Sequence, residues 1–153
     1  MCFRIRRYRD ADLEAVWTLH HEALLPTGAH LGPGPWDDDL SDIPGRYLDG
    51  SGEFLVGELE GRLIAMAALR RFDGTTAELK RMRVLPPFQN QGYGGRVLEA
   101  LEDRARQLGY TAVRLDTTDR QVQAQRFYAK HGYHRIGEGT LMDQRLLFYE
   151  KAL

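Results

Sequence analysis

The sequence predicts an α/β (α+β) fold, a mixed and largely antiparallel sheet flanked by helices in the order β-α-α-β-β-β-α-β-α-β-β. Three features of the 153 residues predict it. Short apolar or alternating runs recur and are bounded by turn dipeptides, as strands in hairpins are. Between them lie stretches with apolar residues at helical spacing. From Val84 to Leu98 the chain reads V-L-P-P-F-Q-N-Q-G-Y-G-G-R-V-L, an apolar run that ends in prolines, meets a glycine cluster and opens a helix.

Taken in order, Phe3-Arg4-Ile5-Arg6-Arg7-Tyr8 alternates like a half-buried strand. Asp10 or Asp12 can cap a helix bearing Leu13, Val16, Trp17 and Leu24 on one face. Pro26 to Pro35 is rich in Gly and Pro and reads as a loop. A short acidic helix is expected around Asp37–Leu48. Phe54–Leu59 and Leu63–Leu69 are strands separated by the turn Glu60-Gly61-Arg62. Asp73-Gly74 is a second hairpin signal before a strand at Thr76–Val84. The alternation of that strand breaks near Arg81-Met82-Arg83, where a bulge fits. After the glycines, Val97, Leu98, Leu101, Ala105 and Leu108 form one helical stripe that stops at Gly109. A strand at Ala112–Thr117, a helix at Gln121–Lys130 and closing strands at Tyr133–Ile136 and Arg145–Lys151 follow. No internal repeat or low-complexity tract is present, and one domain over residues 1–153 suits a chain of this length.

Composition bounds the function. Lys+Arg 21 against Asp+Glu 22 leaves a formal charge of −1, so no overall field favours nucleic acid or an anionic membrane. No apolar run approaches the ~20 residues of a bilayer span. The start Met1-Cys2-Phe3-Arg4 lacks the layout of a secretory signal. A single cysteine, Cys2, forbids an intramolecular disulfide. The expectation is a cytoplasmic protein that uses neither nucleic acid nor membrane. His20-His21-Glu22 would need a histidine at position 25 to complete a metalloprotease helix, and Leu25 stands there, so no metal is expected. His30, His131 and His134 read as surface residues.

A strand feeding a glycine-rich turn at a helix start gathers backbone N–H groups and the positive end of a helix dipole, which suits a pyrophosphate. The spacing is not that of a nucleoside-triphosphate loop, because no Gly-Lys-Ser/Thr follows. Gly92 and Gly94 satisfy the first two positions of the dinucleotide fingerprint, but Val97 occupies the third. Gln89-x-x-Gly92-x-Gly94, preceded by Val84-x-Pro86 and followed by Gly95-Arg96-x-Leu98, instead resembles the acetyl-CoA loop of the GNAT N-acetyltransferase superfamily. Asn90 departs from the glycine common there, and Asn tolerates a left-handed backbone. Downstream, Gln121-x-x-Ala124-x-x-Phe127-Tyr128-x-x-x-Gly132-Tyr133 resembles the family's second signature. The resemblance extends over the whole chain and implies a GNAT-like sheet.

That resemblance implies an enzyme: an acetyl-CoA-dependent N-acetyltransferase acting on a small-molecule or peptide amine by direct transfer in a ternary complex. A non-catalytic acyl-CoA-binding module is the alternative. It further implies that Met82, Arg83 and Val84 anchor pantetheine through their backbone. Gln89, Asn90, Gln91, Gly92, Tyr93, Gly94, Gly95 and Arg96 would take the pyrophosphate, and Gln121 would join the cofactor site. Tyr128 would protonate the leaving thiolate, or is a core aromatic. Glu78 would be the base, unless it is simply paired with Lys80 or Arg70 or ordered water serves instead. Asp37, Asp38 and Asp39 beside Trp36 either attract a cationic amine or form a solvated helix start. A homodimer is expected by analogy with the family.

Overall fold

In a computed structural model the structure describes residues 2–24 and 35–153. Among these residues, seven strands form one sheet in the order β1-β2-β3-β4-β5-β7-β6. They are β1 (Phe3–Arg7), β2 (Glu53–Leu59), β3 (Arg62–Arg71), β4 (Thr76–Val84), β5 (Ala112–Thr118), β6 (His134–Leu141) and β7 (Gln144–Ala152). The helices are α1 (Leu13–Leu24), α2 (Ile43–Tyr47), α3 (Tyr93–Gln107) and α4 (Val122–Lys130). Every ladder is antiparallel except β4 on β5. The predicted order and sheet type therefore hold.

Local chemistry explains the turns. Glu60 and Gly61 both take positive φ, 52° and 81°, as the two-residue turn between β2 and β3 requires. Asp73 Oδ1 accepts the N–H groups of Thr75 and Thr76, each at 2.9 Å, and so closes the β3–β4 hairpin with a side chain. The β6–β7 hairpin turns at Met142 and Asp143, with φ of 48° and 66°. No glycine marks that turn, and β6 runs to Leu141 rather than ending at Ile136. Gly137 and Gly139 obscure the strand pattern of β6, and the ring of Phe148 lies against both.

Adjacent residues of a strand face opposite sides of a sheet. Glu53 on β2 reaches Arg104 of α3 at 3.1 Å, whereas its neighbour Phe54 packs on Tyr47 of α2. Hence α3 covers one face, with α4 beside it, and α1 and α2 cover the other. The predicted helix at Asp37–Leu48 is two pieces, a 3₁₀ segment at Pro35–Ser41 and α2. Asp42 caps α2 by accepting the N–H of Gly45 at 3.1 Å. The expected loop from Pro26 falls outside the described residues up to Pro35, where the 3₁₀ segment begins. Ahead of α1, Asp12 accepts the N–H of Arg9 and pairs with Arg6, both at 2.8 Å. The buried stripe of α1 is Val16, Leu19, His20, Ala23 and Leu24, while Leu13 is 39% exposed.

Candidate active site

The parallel ladder between β4 and β5 is short. It pairs Thr76, Ala77 and Glu78 with Ala112, Val113 and Arg114, and goes no further. Beyond it β4 carries a bulge, because Lys80 faces Ala68 and Arg83 faces Met66, leaving Arg81 and Met82 opposite Ala67. Arg81 takes φ 57°, a left-handed conformation that few non-glycine residues adopt. The two strands part, as the broken alternation predicts for a bulge, and a cavity of about 190 Å³ opens between them. No helix among the described residues is long and apolar enough to cross a membrane.

Leu85 donates its N–H to Ile64 O at 2.9 Å, so the odd-numbered residues here direct their main chain to β3. The main-chain groups of Met82 and Val84 therefore face the gap. Two side chains hold their carbonyls: Gln89 Nε2 donates to Val84 O at 2.9 Å and Arg83 Nη1 to Met82 O at 2.8 Å. A pantetheine chain has the amide groups to occupy such an edge.

At the end of β4 the chain makes a 3₁₀ turn at Pro86–Phe88 and enters α3 through Asn90 and Gly92, at φ 62° and 91°. Gln91 Nε2 donates to Pro87 O at 3.0 Å, and Gln123 of α4 donates to Asn90 Oδ1 at 3.2 Å. These bonds hold the loop over the start of α3, whose first-turn N–H groups have no acceptor within the helix. A Cβ on Gly94 would lie 3.2 Å from Val84 Cγ2 and 3.3 Å from Phe127 Cε1. One on Gly95 would lie 2.9 Å from His131 Cε1. The glycines thus seat α3 against β4 and α4, and the anion end of the helix opens beside the gap. His131, expected on the surface, is half-buried against Phe127 and this loop. Tyr93 and Arg96 turn elsewhere: the Tyr93 ring meets Phe3 at 4.7 Å and the Arg96 guanidinium sits 4.9 Å over that same ring.

Tyr128 on α4 lines the cavity and is buried. Its ring packs edge-on against Phe127 and Tyr133, so it is both a core aromatic and a cavity group. Burial pushes its phenol up to about 12, with Asp116 adding and Arg83 opposing. It holds its proton at neutral pH. Gln121, at the head of α4, lines the same cavity, with its Oε1 accepting from Thr117 Oγ1 at 3.0 Å and Thr118 N at 3.2 Å.

Glu78 is placed differently. It sits on the paired part of β4, accepts from Arg70 Nε at 2.8 Å and does not line the cavity. The acidic segment is also committed. Arg81 donates to Asp39 through Nε at 2.9 Å and through Nη2, and to Asp37 through Nη1 at 3.1 Å. Tyr47 also donates to Asp39. Asp39 is buried rather than part of a solvated helix start, and Arg81 with Tyr47 holds its carboxyl below the usual range against the cost of burial. Asp38 is exposed. Asp37 and Asp39 thus serve the bulge, and neither carboxylate stands ready for a cationic amine.

His20 and Arg83 are the groups that sequence reasoning undervalued. His20 is 1% exposed, and its Nε2 lies 3.1 Å from Asp37 Oδ1. Burial, with Arg83 and Arg81 nearby, pushes its pKa down to about 3. The contact is therefore a neutral imidazole donating Nε2–H to a carboxylate, not an ion pair. A histidine inside the stripe of Val16, Leu19, Ala23 and Leu24 was the signal for its burial. The Arg83 side chain, assigned only a backbone role, lines the cavity. Burial, with Arg81 adding, pushes its pKa down to about 10.

The chain is similar to known proteins. The chain is 33% identical over 102 residues to N-acetylaspartate synthetase of Danio rerio, covering 65% of this chain and 36% of that protein. To human N-acetyltransferase 8 it is 28% identical over 130 residues, covering 76% of this chain and 57% of that one. It thus spans about a third to three fifths of the length of these relatives. Among solved structures, a GNAT-family acetyltransferase from Staphylococcus aureus superposes with a TM-score of 0.90 at 21% identity, covering 99% of both chains. PaiA N-acetyltransferase from Thermoplasma acidophilum, solved with coenzyme A, gives 0.80 at 20% identity over the whole of both chains. Residues 13–133 match the acetyltransferase (GNAT) family, a span that takes in the bulge, the glycine loop and Tyr128, and the chain belongs to that family.

Proposed function

We propose that the protein is an acetyl-CoA-dependent N-acetyltransferase that moves an acetyl group directly to a primary amine within a ternary complex. The observation that carries this reading is the open edge of β4 lying between the glycine loop and Tyr128. Bound acetyl-CoA would supply an activated acyl group as a thioester. The backbone of Met82 and Val84 would align its pantetheine, and the residues from Gln89 to Gly95 would take its phosphates. Arg96, held over Phe3, would meet the phosphates only by leaving that ring. Tyr128, neutral and without a hydrogen bond to its hydroxyl among the described residues, would give a proton to the departing thiolate. Cys2, the single cysteine, is exposed and lies outside the cavity lining, which supports transfer without an acyl-enzyme.

Glu78 is tied to Arg70, so a proton leaving the amine would reach Glu78 only through water. The relatives named for N-acetylaspartate synthesis and N-acetyl transfer support an amine acceptor, and the former supports an amino acid. The same reading takes residues 1–153 as one working domain in the cytoplasm.

Calorimetric titration with acetyl-CoA, with NADH and ATP as controls, tests the first half of this reading. Selective binding with a Kd of about 1 µM, near −8 kcal/mol, is expected. A folded sample free of copurified CoA that binds none would overturn it. Release of CoA on adding amines tests the second half, and binding without release from any amine would leave a binding module.

A further inference from the structure

Among the charged groups that line the cavity, Arg83 has a buried guanidinium N–H without an acceptor among the described residues. Arg81 is neutralised by Asp37 and Asp39, and His20 is uncharged. Around Arg83, among the described residues, no carboxylate comes within 4.0 Å. Its Nη1 is used on the adjacent Met82 O at 2.8 Å, but its Nε is buried with no acceptor at all. Arg114 also has a buried Nε without one, but its guanidinium lies over the Phe72 and Phe148 rings and outside the cavity lining. A buried guanidinium N–H without an acceptor costs free energy that a bound acceptor would recover.

The position says what that is. Met82 and Val84 direct their side chains to Gly94 and the glycine loop. Arg83, between them on the strand, starts from the opposite face, and it shares the cavity lining with His20, Asp37 and Arg81. The phosphates that suit the loop lie across the strand and cannot reach it. Yet the guanidinium is near enough to Tyr128 to oppose the rise of its phenol. An anion on Arg83 would therefore sit on the acceptor side of the gap, close to the group that faces the thioester.

We propose that Arg83 binds the carboxylate of the acceptor, so that the substrate is an amine carrying a carboxylate near the reacting nitrogen, as an amino acid does. A carboxylate lying side-on would take Nε–H and the neighbouring Nη2–H, a pairing that guanidinium geometry favours. Asp37 and Asp39 keep Arg81 from competing for it. This rests on the N-acetyltransferase reading for its chemistry, though not for its binding site.

Two measurements decide it. CoA release is compared for L-amino acids and for their carboxamides, with wild type, Arg83→Lys and Arg83→Gln. Acids are expected to exceed their amides by about 10- to 100-fold in kcat/KM, a preference that Arg83→Gln abolishes and Arg83→Lys partly restores. Acetyl-CoA is kept saturating for each variant, because Arg83 also donates to Met82 O on the edge assigned to pantetheine. Amides turned over as well as acids would overturn the proposal. So would equal losses on both, which would assign Arg83 to the acyl group or to its hold on Met82 O.

Independently of turnover, the CoA-bound protein labelled with ¹⁵N is titrated with acetate. The Nε–H resonance that is missing from Arg83→Lys is expected to move on titration, and a fixed resonance would overturn the subsite. If that resonance moves while no amine releases CoA, the transferase reading fails and the anion subsite stands.

Discussion

Two buried groups of opposite temper, Tyr128 and His20, share the cavity. Tyr128 keeps its proton because burial disfavours the phenolate, and that makes it a usable acid at neutral pH. Tyr128→Phe is expected to lower kcat about 100-fold while leaving acetyl-CoA affinity within about twofold, read from steady-state rates and calorimetry. His20 refuses a proton for the same reason. Its folded pKa of about 3 lies below its ordinary 6.5. Between those values the unfolded chain binds a proton that the folded chain does not, so stability falls as pH drops below about 6.5. The slope from this one group approaches 1.4 kcal/mol per pH unit. Urea unfolding of wild type and His20→Gln at pH 7 and pH 5 is expected to show a loss in the first that is much reduced in the second.

The bulge of β4 depends on an ion-pair lattice drawn from a distant segment. Arg81 and Asp39 side chains are only 9% and 8% exposed, and 42 residues separate them in the chain. Removing the cation strands a buried carboxylate, which costs about 3 kcal/mol or more. Arg81→Met is expected to lower the unfolding free energy by that order in urea melts, and adding Asp39→Asn to recover a good part of it.

Elements such as the glycine loop were legible because their signals are local. Asn90 and Gly92 announce left-handed backbone, Gly94 announces close approach, and Asp73 announces a side-chain-closed turn. The fate of Asp37 and Asp39 was not legible, whereas for Glu78 the pairing with Arg70 was one of the two readings the sequence offered. A carboxylate looks the same in sequence whether it meets a substrate or a guanidinium brought to it by folding. The orphan Nε of Arg83 was hidden for the same reason, since a missing partner is visible only once all the neighbours are in place.

At the scale of the molecule, β1 to β4 and β5 to β7 form two antiparallel halves, and across the sheet three residue pairs join them. That joint stops at Glu78, and the main chain of Met82 and Val84 lies beyond it without a partner on β5. Amide hydrogen exchange is expected to be slowed by acetyl-CoA most strongly at the end of β4 and through Asn90 to Gly94. Equal slowing across β1, β2 and β7 would refute this placement.

On the proposed reading, a bound pantetheine chain would stand in for the missing rungs of this ladder, contributed by a metabolite rather than by the polypeptide. Whatever occupies the wedge therefore also clasps the two halves of the fold, by about 2.7 kcal/mol at a hundred times its Kd. Resistance to urea is then expected to rise with the concentration of acetyl-CoA.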